Sequence, residues 1–138
     1  MLDLHGPMVL RLVVAAALGA LVGYERERSG KPAGVRTHGM VCLGAALFTL
    51  ISIFGFNGDG DPARVAAQVV TGVGFLGAGA ILHGGGTVHG LTTAASLWVT
   101  AAIGVAVGVG MLPMSAVTAV LVVLLLRFGP RPDDEPRR

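Results

Sequence analysis

The chain has 138 residues, of which 53% are hydrophobic and 13% are charged. Soluble domains carry about 25% charged residues, so this composition excludes an ordinary soluble protein and indicates a single integral membrane domain. The formal net charge of +2 does not indicate a nucleic-acid partner, because the basic residues lie beside apolar runs and read as topology determinants.

The first two predicted spans flank the most basic loop of the chain. One apolar run extends from about Met8 to Tyr24, directly after Pro7, and a second from about Gly39 to Phe54. Proline is favoured at a helix start, and roughly 20 residues cross ~30 Å of hydrocarbon. The loop between them, Glu25 to His38, contains the bases Arg26, Arg28, Lys31 and Arg36. By the positive-inside tendency this loop is cytoplasmic, which places the N-terminus outside.

A third predicted span, from Asp61 to Leu82, combines polar residues with glycines. Arg64, Gln68 and Thr71 recur at i, i+4 and i+7 and therefore share one helical face. Because a polar side chain in hydrocarbon costs at least a few kcal/mol, this face is predicted to point into protein or water. We therefore predict that this span lies at the centre of the bundle. The glycines expected to allow close helix contacts there are Gly72, Gly74, Gly77 and Gly79.

A glycine-rich loop from His83 to Gly90, expected to be flexible, leads to a fourth predicted span at about Leu91 to Gly110. Small or hydroxyl-bearing residues recur every four positions along this span, at Thr92, Ser96, Thr100, Gly104 and Gly108. This stripe is predicted to pack against the glycines of the third span. The fifth span, about Met114 to Leu126, is nearly all valine and leucine, so we expect it to be peripheral and lipid-facing.

Five spans predict an N-terminus outside the cell and a C-terminus in the cytoplasm. The predicted fold class is all-α, an integral membrane bundle of about five transmembrane helices over residues 1–126. Residues 127–138 are charged and proline-rich, which is typical of a disordered cytoplasmic tail.

Several patterns that suggest chemistry have simpler explanations. Gly72, Gly74 and Gly77 match a dinucleotide-binding fingerprint, but they lie inside a membrane span without the strand and the acidic residue that the fingerprint needs. His83 and His89 have poor spacing for a metal site. The sequence shows no set of nucleophile, base and orienting residue, so no enzymatic activity is expected.

The residues around the start of the third span leave two interpretations open. Asp59 and Asp61 offer the hard oxygen ligands that Mg²⁺ prefers, but two carboxylates in a glycine-rich loop are also typical of a solvated turn. Asp61 before Pro62 is also expected to cap the third helix, with Arg64 one turn on as its partner. Arg64 can extend to the headgroups, whereas Gln68, one turn deeper, is expected to bond another span or line a cavity.

Four motifs follow one another along the chain. They are Gly23-Tyr24-Glu25-Arg26-Glu27, Lys31-Pro32-Ala33-Gly34-Val35-Arg36-Thr37-His38, Ala66-Ala67-Gln68-Val69-Val70-Thr71-Gly72-Val73-Gly74-Phe75-Leu76-Gly77-Ala78-Gly79 and Gly90-Leu91-Thr92-Thr93-Ala94-Ala95-Ser96-Leu97-Trp98. Together they resemble the motifs of the MgtC/SapB membrane family. The residues at the motif positions are Glu25, Arg26, Lys31, Pro32, Gly34, Arg36, Thr37, His38, Asp61, Arg64, Gln68, Gly72, Gly77, Gly79, Thr92, Thr93 and Trp98.

The resemblance implies a multi-pass protein of the bacterial inner membrane that is linked to growth in low magnesium and, in pathogens, to survival inside macrophages. It implies that the protein acts on another membrane complex, the F-type ATP synthase. It implies no cofactor other than a possible Mg²⁺ ion. Many relatives carry a soluble domain after the fifth span, and we expect this chain to lack it.

Two functions are therefore predicted. The first is a regulator that binds another membrane complex and so affects magnesium or energy homeostasis. The alternative is a transporter or channel for Mg²⁺ or another small solute. Because five short spans are few for a pore, the alternative requires a homo-oligomer in the lipid bilayer. Its intramembrane polar site would consist of Arg64, Gln68, Thr71, Thr92, Ser96 and Thr100.

Overall fold

The computed structural model describes residues 5–84 and 87–130, with backbone only for 82–84 and 87. Its helices are α1 (His5–Arg28), α2 (Val35–Phe54), α3 (Ala63–Ala80), α4 (Leu91–Val109) and α5 (Leu112–Phe128). Between α3 and α4, the short strands β1 (Leu82–Gly84) and β2 (Thr87–His89) pair in antiparallel fashion. The predicted all-α fold class is confirmed, with this hairpin as a small addition.

Four of the described helices, α1 to α4, are long and apolar enough to cross a membrane. The 17 residues of α5 extend about 26 Å at ~1.5 Å per residue, which is near the lower limit for a membrane span. The chain is therefore a multi-pass membrane protein. The orientation of its ends stays a prediction. Helix α5 continues two residues past the predicted start of the tail, and residues 131–138 lie outside the described range.

The central helix of the bundle is α4, which packs against all four other helices. By contrast, α3 packs mainly on α2 and α4, and buries only Val69, Val73 and Gly77. The predicted central position of α3 is therefore wrong. The physical reason is that α3 presents small apolar residues to the bundle on one side, while its polar stripe lies about 180° around the helix and is exposed.

The small-residue stripe of α4 packs against α2. A Cβ atom added to Gly104 would overlap the carbonyl oxygen of Cys42, and one on Gly108 would lie 2.7 Å from Cβ of Thr49. These glycines let the two backbones approach to a distance that no side chain would permit. The predicted packing of this stripe against α3 is wrong, because the closest approach is made to α2.

The glycines of α3 make few contacts within the chain. A Cβ on Gly77 would lie 3.5 Å from Cβ of Ala94 in α4, which is ordinary van der Waals contact. Gly72, Gly74 and Gly79 face open space. Gly19 in α1 behaves differently, since a Cβ there would lie 2.5 Å from the carbonyl oxygen of His38 in α2. Close helix packing within the chain is thus made by α1, α2 and α4.

Helix α5 completes the bundle on the side of α1 and α4. It buries Ser115, Ala119 and Val122, and its outward residues, such as Leu121 and Leu125, are exposed. Its predicted peripheral position is confirmed. The apolar core that it joins consists of Ala15, Val22, Cys42, Ala46, Ile103, Val107, Ala119 and Val122.

The loop between α3 and α4 contains a short hairpin. Leu82 pairs with His89, and Gly84 pairs with Thr87. Sequence analysis did not predict this pairing of the two sides of the glycine tract. After the hairpin, Gly90 adopts a φ of +89°, and a Cβ there would overlap the carbonyl oxygen of Ala80. Only glycine allows α4 to begin directly beside the end of α3.

We expect Gly104→Ala to destabilise the bundle by about 1–3 kcal/mol, because the added methyl group overlaps a main-chain oxygen that cannot rotate away. The measurement is the unfolding free energy of the purified protein in mixed micelles. Gly44→Ala is the matched control, since Gly44 is also helical and has no atom within 4 Å of an added Cβ. Equal losses in the two variants would contradict the packing of α4 on α2.

Candidate functional site

A polar cluster lies where the C-terminal end of α1 meets the N-terminal ends of α2 and α4. Arg26 Nη2 donates a hydrogen bond to Oγ1 of Thr93, and Nε2 of His38 lies 2.9 Å from Oγ of Ser96. All four side chains are buried. We refer to Arg26, His38, Thr93 and Ser96 as the polar cluster.

The loop between α1 and α2 fixes the position of this cluster. Gly30 has a φ of +66°, and the amide of Lys31 donates to the carbonyl of Arg26 at 3.0 Å, which ends α1 in a Schellman motif. The carboxylate of Glu27 accepts a hydrogen bond of 3.0 Å from the amide of Val35, the first residue of α2. A negative charge at a helix N-terminus is favourable. Glu27, near the end of α1, thus determines where α2 begins.

The hydrogen bonds of His38 constrain its protonation. Its Nδ1 lies 3.1 Å from the carbonyl oxygen of Gly34, which can only accept, so Nδ1 carries a hydrogen. Ser96 Oγ lies within reach of two acceptors, Nε2 of His38 and the carbonyl of Thr93 at 2.8 Å. Its single hydrogen can serve only one of them. A neutral His38 takes this hydrogen at Nε2, whereas a protonated His38 donates to Ser96 and leaves the hydrogen for Thr93.

The guanidinium of Arg26 is not fully paired. Arg26 is 6% exposed, and its Nε atom is buried without a hydrogen-bond partner in the part of the chain that the structure describes. Leaving a buried donor unpaired costs about 1–3 kcal/mol, and more for a charged group. Helix packing therefore does not account for the whole hydrogen-bonding capacity of this side chain.

A cavity of about 280 Å³ opens next to Arg26. We call it the hairpin cavity, because β2 forms one of its walls. Its lining residues are Glu25, Arg26, Ser29, Lys31, Pro32, Ala80, Val88, His89, Gly90, Leu91, Thr92, Thr93, Leu125, Leu126, Gly129 and Pro130. They include two bases, Arg26 and Lys31, and one acid, Glu25, which accepts a hydrogen bond of 3.4 Å from the hydroxyl of Ser29. The first turn of α4 faces the same space.

The structure brings part of the predicted motif residues to this cavity. Glu25, Arg26, Lys31, Pro32, Thr92 and Thr93 line it. His38 belongs to the polar cluster and is bonded to the carbonyl of Gly34, while Thr37 is half-buried. Arg36 and Trp98 are exposed elsewhere on the bundle. Motif residues that are separated in sequence by up to 68 positions, from Glu25 to Thr93, therefore meet at one end of the helices.

The residues of the predicted intramembrane polar site do not come together. Arg64, Gln68 and Thr71 are exposed on the outer face of α3, whereas Ser96 and Thr100 are buried in α4. Thr71 and Thr100 each donate to a carbonyl of their own helix. Thr92 is exposed and lines the hairpin cavity.

A second cavity, of about 410 Å³, lies at the opposite end of α3. Its lining residues are Ser52, Phe56, Asp59, Gly60, Asp61, Arg64, Val65, Ala67 and Gln68. The carboxylate of Asp61 accepts a hydrogen bond of 2.9 Å from the amide of Ala63, the first residue of α3, although Pro62, and not Asp61 as predicted, occupies the cap position. Among the described residues no group of three or more His, Cys, Asp or Glu side chains could hold a metal ion. His83 cannot be assessed, since its side chain lies outside the described part.

Sequence reasoning missed the tertiary contacts of two arginines. Arg11 lies inside the first span and donates a hydrogen bond of 2.9 Å to the carbonyl of Gly108, at the C-terminal end of α4. A cation there is favourable for the helix dipole. Arg26 was predicted as a motif position and a topology determinant, but its buried hydrogen bond to Thr93 was not. The available signal was the same in both cases, an arginine within or directly after an apolar run, which is expensive unless it has a partner.

The comparisons with known proteins agree with the motifs. The model of the MgtC family matches residues 12–133. "Putative magnesium transporter YhiD" of Escherichia coli (strain K12) is 48% identical over 81 residues, 54% of this chain and 38% of that protein. "Protein MgtC" of Salmonella typhimurium (strain LT2) is 47% identical over 79 residues, 57% of this chain and 33% of that protein. The chain thus spans no more than 38% of these relatives' lengths. No solved structure matches it.

We expect Ser96→Ala to destabilise the protein by about 1–3 kcal/mol, because it removes the hydroxyl that pairs with the buried Nε2 of His38. Ser115→Ala is the matched control. Ser115 is also buried, but its hydroxyl donates only to the carbonyl of Met111. That carbonyl also accepts from the amide of Ser115, so it still has a hydrogen bond after the substitution. Unfolding free energies in micelles give the comparison, and a loss in the control as large as that in Ser96→Ala would contradict the assigned role.

Proposed function

The chain belongs to the MgtC family, and we propose that it is a magnesium-related protein of the bacterial inner membrane that acts by binding another membrane complex. The names of its relatives support the link to magnesium. The motif likeness points to the F-type ATP synthase as the complex. This function requires a binding surface within the membrane and no catalytic residues.

The observation that carries the proposal is the outer face of α3. It comprises Arg64, Gln68, Thr71, Gly72, Phe75 and Gly79, all exposed in the single chain. Phe75 is 82% exposed, and the glycines beside it face open space. Bare glycines next to a projecting aromatic ring form a surface into which another helix can fit closely.

The polar residues of this face strengthen the argument. Arg64 lies in the first turn of α3 and can reach the headgroups. Gln68 is one turn deeper, where an amide without a partner is unfavourable in hydrocarbon. Contact with another protein would supply both a hydrogen-bond partner for Gln68 and a cover for Phe75.

The interior of the single chain supports a binding role over transport. Ile103 and Val107 of α4 are completely or almost completely buried, and close glycine contacts seal α4 against α2. The buried hydroxyls of Thr49 and Thr100 donate to carbonyls of their own helices. A hydrated path for Mg²⁺ needs polar ligands or water along its length, and packing of this kind supplies neither.

A transporter is the second candidate, and the cavity at the start of α3 is the observation that favours it. Asp59, Asp61, Arg64 and Gln68 line that cavity at one end of the outer face. An oligomer built around this face would place several copies of the two carboxylates at the mouth of a shared path.

We expect Gly72→Leu to abolish support of growth in low magnesium in a bacterium that lacks its own copy of the protein. The added side chain projects from the outer face into open space, so it blocks a docked helix without disturbing the chain itself. Ala116→Leu places the same side chain at an exposed position on α5 and should retain full growth. If both variants support growth equally, the outer face is not the functional surface.

Purified protein in liposomes should give no Mg²⁺ flux above that of empty vesicles, as measured with an enclosed magnesium-sensitive dye. In vesicles that also contain F-type ATP synthase, the protein should lower the rate of ATP hydrolysis by at least about twofold, and Gly72→Leu should restore it. A Mg²⁺ flux through the wild-type protein that is lower in the Gln68→Ala variant would instead establish the transporter.

A further inference from the structure

We infer that the hairpin cavity is a binding site for a phosphate-class oxyanion, held by Arg26 and the first turn of α4. The inference is independent of the proposed docking face on α3, which lies on another side of the bundle. It rests on the unpaired guanidinium, on the free amides of the helix start and on the chemistry of the cavity walls.

The first observation is the state of Arg26. Its side chain is 6% exposed and lines the cavity, while its Nε atom has no partner among the described residues. Nη2 is already used by Thr93, which fixes the plane of the guanidinium. A guanidinium presents its N–H groups as a rigid fork that matches the oxygens of phosphate. Because Nε itself is closed to solvent, an oxyanion in the cavity would accept from the Nη1 end of the same fork.

The second observation is the start of α4. The first intrahelical hydrogen bond runs from the amide of Ala94 to the carbonyl of Gly90, at 2.9 Å. The amides of Leu91, Thr92 and Thr93 precede it, and Gly90 has no side chain to bond them. These three residues line the cavity. Free amides and the positive end of the helix dipole favour an anion at this position.

The charges of the cavity wall agree with an anion. Lys31 joins Arg26 on the lining, and Glu25 is the one acid among the lining residues that the structure describes. Glu25 opposes an anion, but its carboxylate is directed towards Ser29 by a hydrogen bond. A cation site is disfavoured among these described residues, because Mg²⁺ would meet a single carboxylate beside two basic side chains. The volume of about 280 Å³ admits a tetrahedral oxyanion together with water molecules, each of which takes about 30 Å³.

The phosphate group has two possible sources. Val88, Leu91 and Leu125 are exposed apolar residues on the same lining, so a phospholipid could place its headgroup phosphate in the cavity and its chains along these residues. Inorganic phosphate would use only the polar wall. Both sources present the same oxygens to Arg26, and experiment can separate them.

The test uses the full chain purified in a phosphate-free, non-ionic detergent. In one arm, inorganic phosphate is titrated and its binding is followed by ³¹P line broadening. In the other arm, the protein is placed in nanodiscs of phosphatidylcholine with a minor fraction of phosphatidylglycerol, and the retained phosphatidylglycerol is counted by native mass spectrometry. Saturable binding of one inorganic phosphate per chain in the first arm identifies free phosphate as the source. If only the second arm shows saturable binding, of one phosphatidylglycerol per chain, the source is the lipid.

Three variants determine whether the binding occurs in the cavity. Arg26→Lys keeps the charge but removes the forked set of N–H donors, and should weaken binding about tenfold, the effect of losing one charge-assisted hydrogen bond. Lys31→Gln, at a half-buried loop position, should weaken it about threefold and decides the matter if Arg26→Lys does not fold. Arg28→Gln removes an exposed charge nearby and should bind within twofold of the wild type. Absence of binding in both arms, or equal losses in Lys31→Gln and Arg28→Gln, would overturn the inference.

Discussion

The approach of α4 to α2 at Gly104 and Gly108 is the contact on which the rest of the bundle depends. There the glycines of α4 lie directly against the carbonyl oxygens of Cys42 and Ala46 and against the side chain of Thr49. A membrane bundle gains little from expelling apolar groups from water, so close packing of this kind supplies most of its cohesion. Once α4 is held against α2, α1 and α5 enclose its remaining faces, and α3 is left with contacts along one narrow side.

This arrangement separates two kinds of surface. Small apolar residues fill much of the interior, and the hydroxyls of Thr49 and Thr100 there are bonded within their own helices. Polar groups with unused hydrogen-bonding capacity lie at the ends and on the outside of the bundle. They are Arg26 at one end and Gln68 on the outer face of α3. Function is therefore expected where this small domain meets a ligand or a neighbour, and its core serves to hold those surfaces in place.

Sequence reasoning recovered the helices, but it placed α3 incorrectly and paired the small-residue stripe of α4 with the wrong helix. Hydropathy identified every described helix to within a few residues, because a membrane-spanning segment must satisfy its own backbone. The position of α3 was wrong because its polar stripe was assumed to pack against other helices of the same chain. The helical spacing of polar residues does not show whether the helices that cover them belong to the same chain or to another one. The polar cluster was missed for a related reason. Arg26, His38, Thr93 and Ser96 lie on three helices, and only the tertiary contacts show that they meet.

The contact between Gly90 and the carbonyl of Ala80 joins the end of α3 directly to the beginning of α4. With no side chain between these two main-chain segments, a tilt of α3 would displace the amide groups at the head of α4. The outer surface of the bundle and the hairpin cavity would then be thermodynamically linked, and whatever occupies one would alter the affinity of the other by the same factor in both directions.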